Sequence, residues 1–353
     1  MVNSISPLRL GFVGAGANTR SRHLPGFKAI DGVELQVVCN RSEESSRNVA
    51  AEFGIRRIAR HWREVVDARD VDAICIGTWP NMHAEITIAA LNAGKHVLTE
   101  ARMAGNVGEA EAMLAAARAN PQRVAQIVPA PMSLDFDSTI ITLLNGERLG
   151  ALREVCVTHT TGAYSDANAP YSWRMDIELS GYNTLTVGIY YEIVRRWLQK
   201  DLRRVLAQGA VFTPKRRRDD GSVADVQIPE SITILGNYAG GERFVGHFSG
   251  IESGGGRNEI RLNGAFGCLR ADFAAGALFL AETDGDEQQV DVPESSRRGW
   301  RVEEDFVASI RTGIPVQLTG FDDGVRYMRF TEAVFHSFEK GGVWMDVGEN
   351  KEM

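Results

Sequence analysis

Apolar residues in the first third of the chain fall in short runs without polar alternation, separated by stretches with helical spacing. Residues 8–13, 33–39, 71–77, 95–99 and 123–128 are such runs. A strand covered on both faces loses the alternation of polar and apolar positions, so each reads as a buried strand. Between them, residues 19–30, 43–53 (closed by Gly54), 61–68 and 84–93 (stopped by Gly94) read as helices. A further helix is opened by Asn106, with Glu109 three residues on as a capping box, and ends before Pro121. Strands alternating with helices of this length predict βαβ crossovers and a doubly wound parallel sheet. From about residue 130 the period changes. A helix over 134–145 ends at Gly146, residues 152–160 alternate as a half-buried strand, and a helix is expected over 181–198. Strand-like runs then recur at 203–213, 225–238, 242–251, 257–264, 266–273, 277–281 and 287–292, separated by Gly and Asp turns, before helices over 301–311 and 322–339. Such a series predicts a large, mostly antiparallel open sheet.

The first apolar run feeds directly into Gly14-Ala15-Gly16. Gly14 permits a tight turn, Gly16 lets a pyrophosphate approach the backbone, and Ala17 and Asn18 open a helix whose free N–H groups and positive dipole end favour that charge. Thr19 stands where the third glycine of G-x-G-x-x-G is customary, so the context decides: a strand before and a helix after favour a nucleotide site over a glycine turn that binds nothing. The fold expected is therefore α/β, with an N-terminal Rossmann-type sheet over 1–129 and a C-terminal α/β domain over 130–353 whose last helix packs back on the first domain. A dinucleotide fold of this kind usually ends its second strand with a carboxylate for the ribose hydroxyls. Here Asn40-Arg41-Ser42 follows that strand. The neutral amide offers no carboxylate and Arg41 is a bidentate phosphate partner, which favours NADP(H) over NAD. The alternative is that Arg41 stacks on adenine and either cofactor fits.

The chain's 353 residues, about twice a typical domain, agree with two domains. Its net charge of −7 argues against nucleic acid as a partner, and the one basic run, 215–218, is followed by Asp219, Asp220 and Gly221, as in a solvated hairpin loop. Cys39, Cys75, Cys156 and Cys268 lie far apart without a C-x-x-C pair, so buried, reduced thiols are expected and neither a metal site nor a disulfide framework. Residues 1–10 lack signal-peptide architecture and no apolar run approaches the ~18 residues that span a membrane, so a cytoplasmic protein with no membrane partner is expected.

Residues 8–16, 78–104, 171–198 and 304–337 together resemble the Gfo/Idh/MocA family, named for glucose–fructose oxidoreductase and inositol dehydrogenase. The resemblance implies a dinucleotide domain followed by a substrate-binding and oligomerisation domain, and hydride transfer between NAD(P) and a carbinol carbon of a sugar or cyclitol. It also implies that Thr78, Trp79, Pro80, Asn81 and His83 border the cofactor and that Glu100 lies beside the nicotinamide ribose. His83 would alternatively only satisfy backbone groups, and His96 is expected to be packed. The family's usual Glu-Lys-Pro motif reads Glu100-Ala101-Arg102, and its customary Asp and His of the substrate-domain helix are Thr186 and Tyr190. Ala101 and Thr186 offer no useful proton, and Arg102 stays protonated, fit to hold an anion but not to exchange protons.

Tyr190 is left as the expected proton carrier, its phenol lowered by a nearby cation or the positive nicotinamide. Asn183, Thr186 and Tyr190 are spaced to share one face of the expected helix, beside a stripe of Leu185, Ile189, Ile193 and Trp197, and would line a sugar pocket. The competing expectation is a tyrosine packed in a core with its hydroxyl satisfied. Arg174, after Trp173, would orient the ligand at the pocket rim or form a surface ion pair. A redox-neutral glycoside hydrolase or lyase that retains NAD, and a cofactor-binding sensor without catalysis, stand as alternatives to an oxidoreductase. An open sheet must be covered, so a homodimer or homotetramer through the C-terminal sheet is expected.

Overall fold

The computed structural model describes residues 7–146, 148–283 and 285–348. It divides into two compact units: residues up to 129 together with 301–325, and residues 130–300 together with those from 326 onward.

The first unit holds a parallel sheet of six strands: β1 (Leu8–Val13), β2 (Val33–Cys39), β3 (Arg57–Ile58), β4 (Ala73–Ile76), β5 (His96–Thr99) and β6 (Ala125–Ile127). Their order is β3-β2-β1-β4-β5-β6, so the strand order reverses at β1. Ligands of doubly wound sheets bind at this switch, beyond the carboxyl ends of the strands. The helices are α1 (Leu24–Lys28), α2 (Glu43–Phe53), α3 (Trp62–Val66), α4 (Pro80–Asn92) and α5 (Val107–Ala119). A π-helical turn, Thr19–His23, leads into α1. β3 was not expected; two half-buried residues are too few to display a period.

Residues 301–325, assigned by the sequence to the second domain, belong to the first. Phe27 of α1 meets Phe12 at 6.1 Å and Phe306 at 6.2 Å, and Ile127 N–H donates to Thr319 O at 3.0 Å. The expectation that the last helix packs back on the first domain is thereby corrected: the returning segment is 301–325, and most of the last helix, Phe321–Glu339, belongs to the second unit, since an amphipathic helix shows which face it buries but not against which sheet.

The second unit contains α6 (Asp137–Asn145), α7 (Ile177–Ser180) and α8 (Val187–Leu198). Its strands are β7 (Leu152–Thr160), β8 (Leu202–Ala210), β9 (Lys215–Arg217), β10 (Val223–Asp225), β11 (Ser231–Tyr238), β12 (Arg243–Ser249), β13 (Asn258–Gly264), β14 (Gly267–Asp272), β15 (Ala277–Glu282), β16 (Gln288–Val290) and β17 (Met345–Asp346). Nine of them form one sheet in the order β16-β15-β14-β13-β7-β12-β11-β8-β17, antiparallel throughout except where β7 runs parallel to β12. Tyr191 of α8 stacks on Phe330 at 3.8 Å and meets Phe244 of β12 edge-on at 6.4 Å, so α8 covers one face of this sheet. The remaining helices are α9 (Val302–Thr312), in the first unit, and α10 (Phe321–Glu339), most of which belongs to the second.

Three local expectations are corrected. The helix expected over 181–198 begins only at Val187, because Leu185 takes a positive φ of 47° and Thr186 occupies the N-cap position. Of the run 225–238 only Ser231–Tyr238 is strand, β11; Asp225 is the last residue of β10, and Pro229, which has no N–H for a ladder, lies between them. The basic run does form a hairpin with 223–225, yet Arg216 in its middle is buried and paired with Glu230 at 2.8 Å instead of being solvated. The four cysteines are free, but Cys156 and Cys268 are half-buried rather than buried. Among the described residues, no helix is long and apolar enough to cross a membrane and no cluster of His, Cys, Asp or Glu could hold a metal.

Candidate functional site

At the end of β1, Gly14 has φ +82° and a Cβ there would lie 2.6 Å from the Thr78 nitrogen. Only glycine fits. The turn is pinned from β2: Gly14 N–H donates to Cys39 O at 2.8 Å and Ala15 N–H donates to Asn40 Oδ1 at 2.6 Å. Asn40 thus spends its carbonyl oxygen on the turn. Gly16 is exposed, and a Cβ on it would meet only Gly77 O, at 3.7 Å, so its outer side is open. Thr19 explains the missing third glycine. Its hydroxyl donates to Gly14 O at 3.3 Å and sits where a Cβ on Gly77 would fall, 2.2 Å away. The close approach is made by a glycine on the opposite strand end, which the linear motif does not reveal.

Residues 78–83 follow Gly77, and Thr78 at their start packs its backbone on Gly14. His83 is buried, with Nε2 3.0 Å from Thr78 O and Nδ1 3.0 Å from Arg102 O and 3.2 Å from Met103 O. Burial lowers its pKa against those carbonyls, so it is a tether between two loops, the blander of its expected roles. Ser42 caps α2 by accepting from Ser45 N–H at 3.2 Å. The Arg41 guanidinium is exposed and lies 5.1 Å from the Trp79 ring centroid. Pro80 opens α4, where its missing N–H costs nothing.

Below the turn lies a cluster centred on His23, which the sequence did not single out. Its Nδ1 is 2.5 Å from Glu303 Oε1 and its Nε2 is 3.0 Å from Glu100 Oε1, which also accepts from Asn18 Nδ2 at 2.6 Å. Burial alone would lower the imidazole, but the two carboxylates outweigh it and raise its pKa to about 9. Glu100 moves the other way: burial raises it, and the hydrogen bond from His23 prevails and lowers it. The result is an ionised Glu100 held between Asn18 and His23. Arg102, two residues on, is buried.

In the second unit the expected polar stripe does not form. Asn183 and Thr186 precede α8, and Asn183 Nδ2 donates to Ser180 O at 2.6 Å. Of the apolar stripe, Ile193 and Trp197 are buried in α8 and Leu185 lies outside it. Tyr190 is fully buried, its hydroxyl donates to Asn258 Oδ1, and burial raises its pKa. That is the wrong direction for a proton carrier near neutrality, so the packed-tyrosine expectation fits the geometry and the carrier expectation is corrected. Arg174 is exposed with its guanidinium 4.3 Å from the Trp173 ring. Thr186 Oγ1 lies 2.8 Å from Nδ1 of His159, whose ring packs on Tyr190 at 4.9 Å between centroids. His159 borders an open cavity of about 520 Å³ lined also by Thr160, Thr161, Ser165, Glu252 and Asn258. On the sequence it is one more position of an alternating strand, and nothing local marks it.

Residues 8–127 match the model of an oxidoreductase family with an NAD-binding Rossmann fold, and residues 138–270 match the GFO/IDH/MocA C-terminal domain. The chain belongs to the GFO/IDH/MocA family. Among its relatives, 4-carboxy-2-hydroxymuconate-6-semialdehyde dehydrogenase of Sphingobium sp. is 40% identical over 107 residues, which is 30% of this chain and 34% of that protein. The dTDP-3,4-didehydro-2,6-dideoxy-alpha-D-glucose 3-reductase of Streptomyces antibioticus is 27% identical over 337 residues, 93% of this chain and 96% of that one. The crystal structure of an oxidoreductase domain protein from Kribbella flavida superposes with a TM-score of 0.86 at 23% identity, covering 98% of this chain and 100% of that chain.

The residues present fit the dinucleotide that the family's Rossmann domain binds. Gly16 leaves the turn open on its outer side, Gly14 packs on the Thr78 backbone, and Thr78 Oγ1 and Asn81 Oδ1 are buried without a hydrogen-bond partner among the described residues. Buried polar atoms without partners carry a desolvation cost that a ligand's hydroxyl or amide would relieve.

Proposed function

We propose that this family member is an NAD(P)-dependent oxidoreductase that moves a hydride between nicotinamide and a carbinol carbon of a sugar, cyclitol or related polyol. The observation that carries this reading is the glycine turn at the end of β1, open on the outer side of Gly16 and set where the strand order reverses. The Streptomyces relative, a reductase named for a deoxysugar nucleotide and aligned over nearly the whole chain, supports the substrate class.

In this reading Gly14, Gly16, Ala17 and Asn18 meet the pyrophosphate, Asn40, Arg41 and Ser42 meet the adenosine ribose, and residues 78–83 with Glu100 border the nicotinamide side. The bound nicotinamide supplies a two-electron hydride donor or acceptor. Arg102 or Arg174 brings a fixed positive charge for a substrate oxygen. NADP(H) is preferred, because no carboxylate stands at Asn40 to repel a 2′-phosphate and Arg41 has no ion pair among the described residues. A cytoplasmic location and a homodimer or homotetramer complete the reading. On the sheet face away from α8, Leu206, Leu235, Val245 and Cys156 form one row across four adjacent strands, apolar enough to favour a partner sheet.

The test is mass spectrometry of the nucleotide released from purified protein, followed by a polyol panel monitored through nicotinamide absorbance. NADP(H) and a net absorbance change are expected, with Arg41→Ala weakening NADPH at least tenfold and NADH under threefold. Cleavage of a chromogenic glycoside with no net change would overturn the reading in favour of redox-neutral chemistry. Nucleotide binding without turnover of any substrate would favour a sensor.

A further inference from the structure

The first unit has a cleft of about 560 Å³ between α5, the segment 121–125 that enters β6, the end of α9 and the start of α10. His96, the first residue of β5, and Ala125, the first of β6, line it. It therefore lies at the amino ends of a parallel sheet whose glycine turn follows the carboxyl end of β1. We propose that this cleft binds a small organic monocarboxylate with an apolar body, the carboxylate being held by His96, Arg123 and Ser309. The site is separate from the glycine turn and does not depend on the oxidoreductase reading.

The donors are set by the backbone. Val124 N–H donates to His96 Nδ1 at 2.9 Å, so the proton of the neutral ring is on Nε2. Arg123 Nη1 lies 3.5 Å from that Nε2. Two N–H donors thus stand side by side, and a carboxylate, which accepts through two oxygens, engages both. Burial first, and then the Arg123 charge, lowers the imidazole pKa to about 4 and keeps the ring neutral at pH 7. Ser309 also lines the cleft. It is 2% exposed, and its hydroxyl has no hydrogen-bond partner among the described residues, a desolvation cost that a ligand oxygen would relieve.

Charge and shape narrow the ligand class. The charged side chains lining the cleft are Arg118, Arg123 and Asp322. Arg118 Nη2 is paired with Asp322 Oδ1 at 2.7 Å, whereas Arg123 has no ion pair among the described residues, which leaves one positive charge uncompensated. A monoanion balances it, while a phosphate dianion would leave surplus negative charge near Asp322. Leu114, Ile310, Val316 and Phe321 provide an apolar wall, and Ile314 is 44% exposed beside them. An inorganic anion would leave that surface uncovered, whereas a hydrocarbon body covers it.

The test is calorimetric titration of the full chain with hexanoate, compared with hexanol, which keeps the body without the charge, and inorganic phosphate, which keeps an anion without the body. Hexanoate should bind at least tenfold more tightly than either. Arg123 is exposed, so Arg123→Gln should fold as the native chain does and weaken hexanoate at least tenfold, and Ser309→Ala should weaken it at least threefold. In the chain labelled with ¹⁵N-histidine, hexanoate should shift the His96 Nε2 signal, assigned by its loss in His96→Gln, equally with and without NAD(P)H. Failure of hexanoate to bind, affinity unchanged in Arg123→Gln, equal binding of hexanol or phosphate, or displacement of hexanoate by NAD(P)H overturns the proposal. A chain that binds hexanoate in this manner but turns over no polyol would refute the oxidoreductase reading alone.

Discussion

His23 and Glu303 stand 280 residues apart in the chain, yet the imidazole Nδ1 lies 2.5 Å from the carboxylate, inside the first unit. The same ring reaches Glu100 through Nε2 at 3.0 Å, so one buried cation joins the glycine-turn helix, the end of β5 and the returning segment that carries α9. This arrangement makes stability depend on pH. The folded-state pKa of about 9 exceeds the ordinary 6.5, so the native state holds its proton more tightly than the unfolded chain. The stabilisation, on the order of 3 kcal/mol, is complete below about pH 6.5 and disappears as pH rises through about 9. Urea unfolding at pH 6.5 and pH 9.5 should show this loss in the native chain and a much smaller one in His23→Gln. Parallel pH dependences in the two proteins would refute the assignment.

Gly16 differs from Gly14 in a way that separates binding from folding. A Cβ at 16 meets Gly77 O at an ordinary 3.7 Å, whereas one at 14 falls 2.6 Å from the Thr78 nitrogen on a backbone with φ +82°. Gly16→Ala should therefore leave the melting temperature within about 2 °C, while its methyl group crowds the pyrophosphate and weakens nucleotide binding at least tenfold. Gly14→Ala should lose both. Titration calorimetry alongside thermal unfolding checks the pair, and unchanged affinity in Gly16→Ala would move the phosphate away from this turn.

Gly77 and Thr19 form a matched pair. The threonine fills the space that a third motif glycine would leave, and Gly77 must then have no side chain, since its Cβ would lie 2.2 Å from Thr19 Oγ1 and 2.3 Å from Gly14 O. Overpacking of this kind costs about 1–3 kcal/mol or more. Gly77→Ala should destabilise the chain by that amount in denaturant unfolding, and Thr19→Gly should restore little of it, because the clash with the Gly14 carbonyl persists. Full rescue by Thr19→Gly would show that the side-chain contact alone sets the constraint.

These pairs also show what the sequence could reveal. Runs such as 33–39 and 152–160 coincide with β2 and β7 because burial on one or both faces imposes a period that local reading detects. Gly14 was legible for the same reason, as a local backbone demand. Long-range chemistry was not. His23 acquires its meaning from Glu303, and His159 from Thr186 and the Tyr190 ring, none of them neighbours in the chain. The helix expected from 181 failed through one residue, Leu185, whose positive φ breaks the spacing that placed Asn183, Thr186 and Tyr190 on one face. Tyr190 was singled out by its position in a motif, and burial decided otherwise.

Arg216 and Glu230 offer the sharpest test of how the cavity wall is held. The Arg216 guanidinium donates to Glu230 Oε1 at 2.8 Å and to the carbonyls of Tyr164 at 3.0 Å, Asp166 at 2.7 Å and Ala169 at 3.1 Å. Glu230 Oε2 accepts from the amides of Phe212 and Thr213 at 2.7 and 2.8 Å. A buried ion pair satisfied at every side-chain N and O atom but Arg216 Nε adds little over an apolar substitute, but removing one partner leaves the other charge uncompensated, at about 3–5 kcal/mol. Arg216→Met strands the carboxylate and three carbonyls, and the segment they anchor includes Ser165, which lines the cavity beside His159. The variant should lose stability in that range, and hydrogen exchange should accelerate at residues 164–169 well before global unfolding. Glu230→Gln keeps the shape and both amide contacts while removing the negative charge, so it should lose stability with less local opening of that segment. Equal exchange rates at 164–169 in the native chain and Arg216→Met would mean that the loop is held by its own turns and that the buried pair serves only the hairpin of β9 and β10.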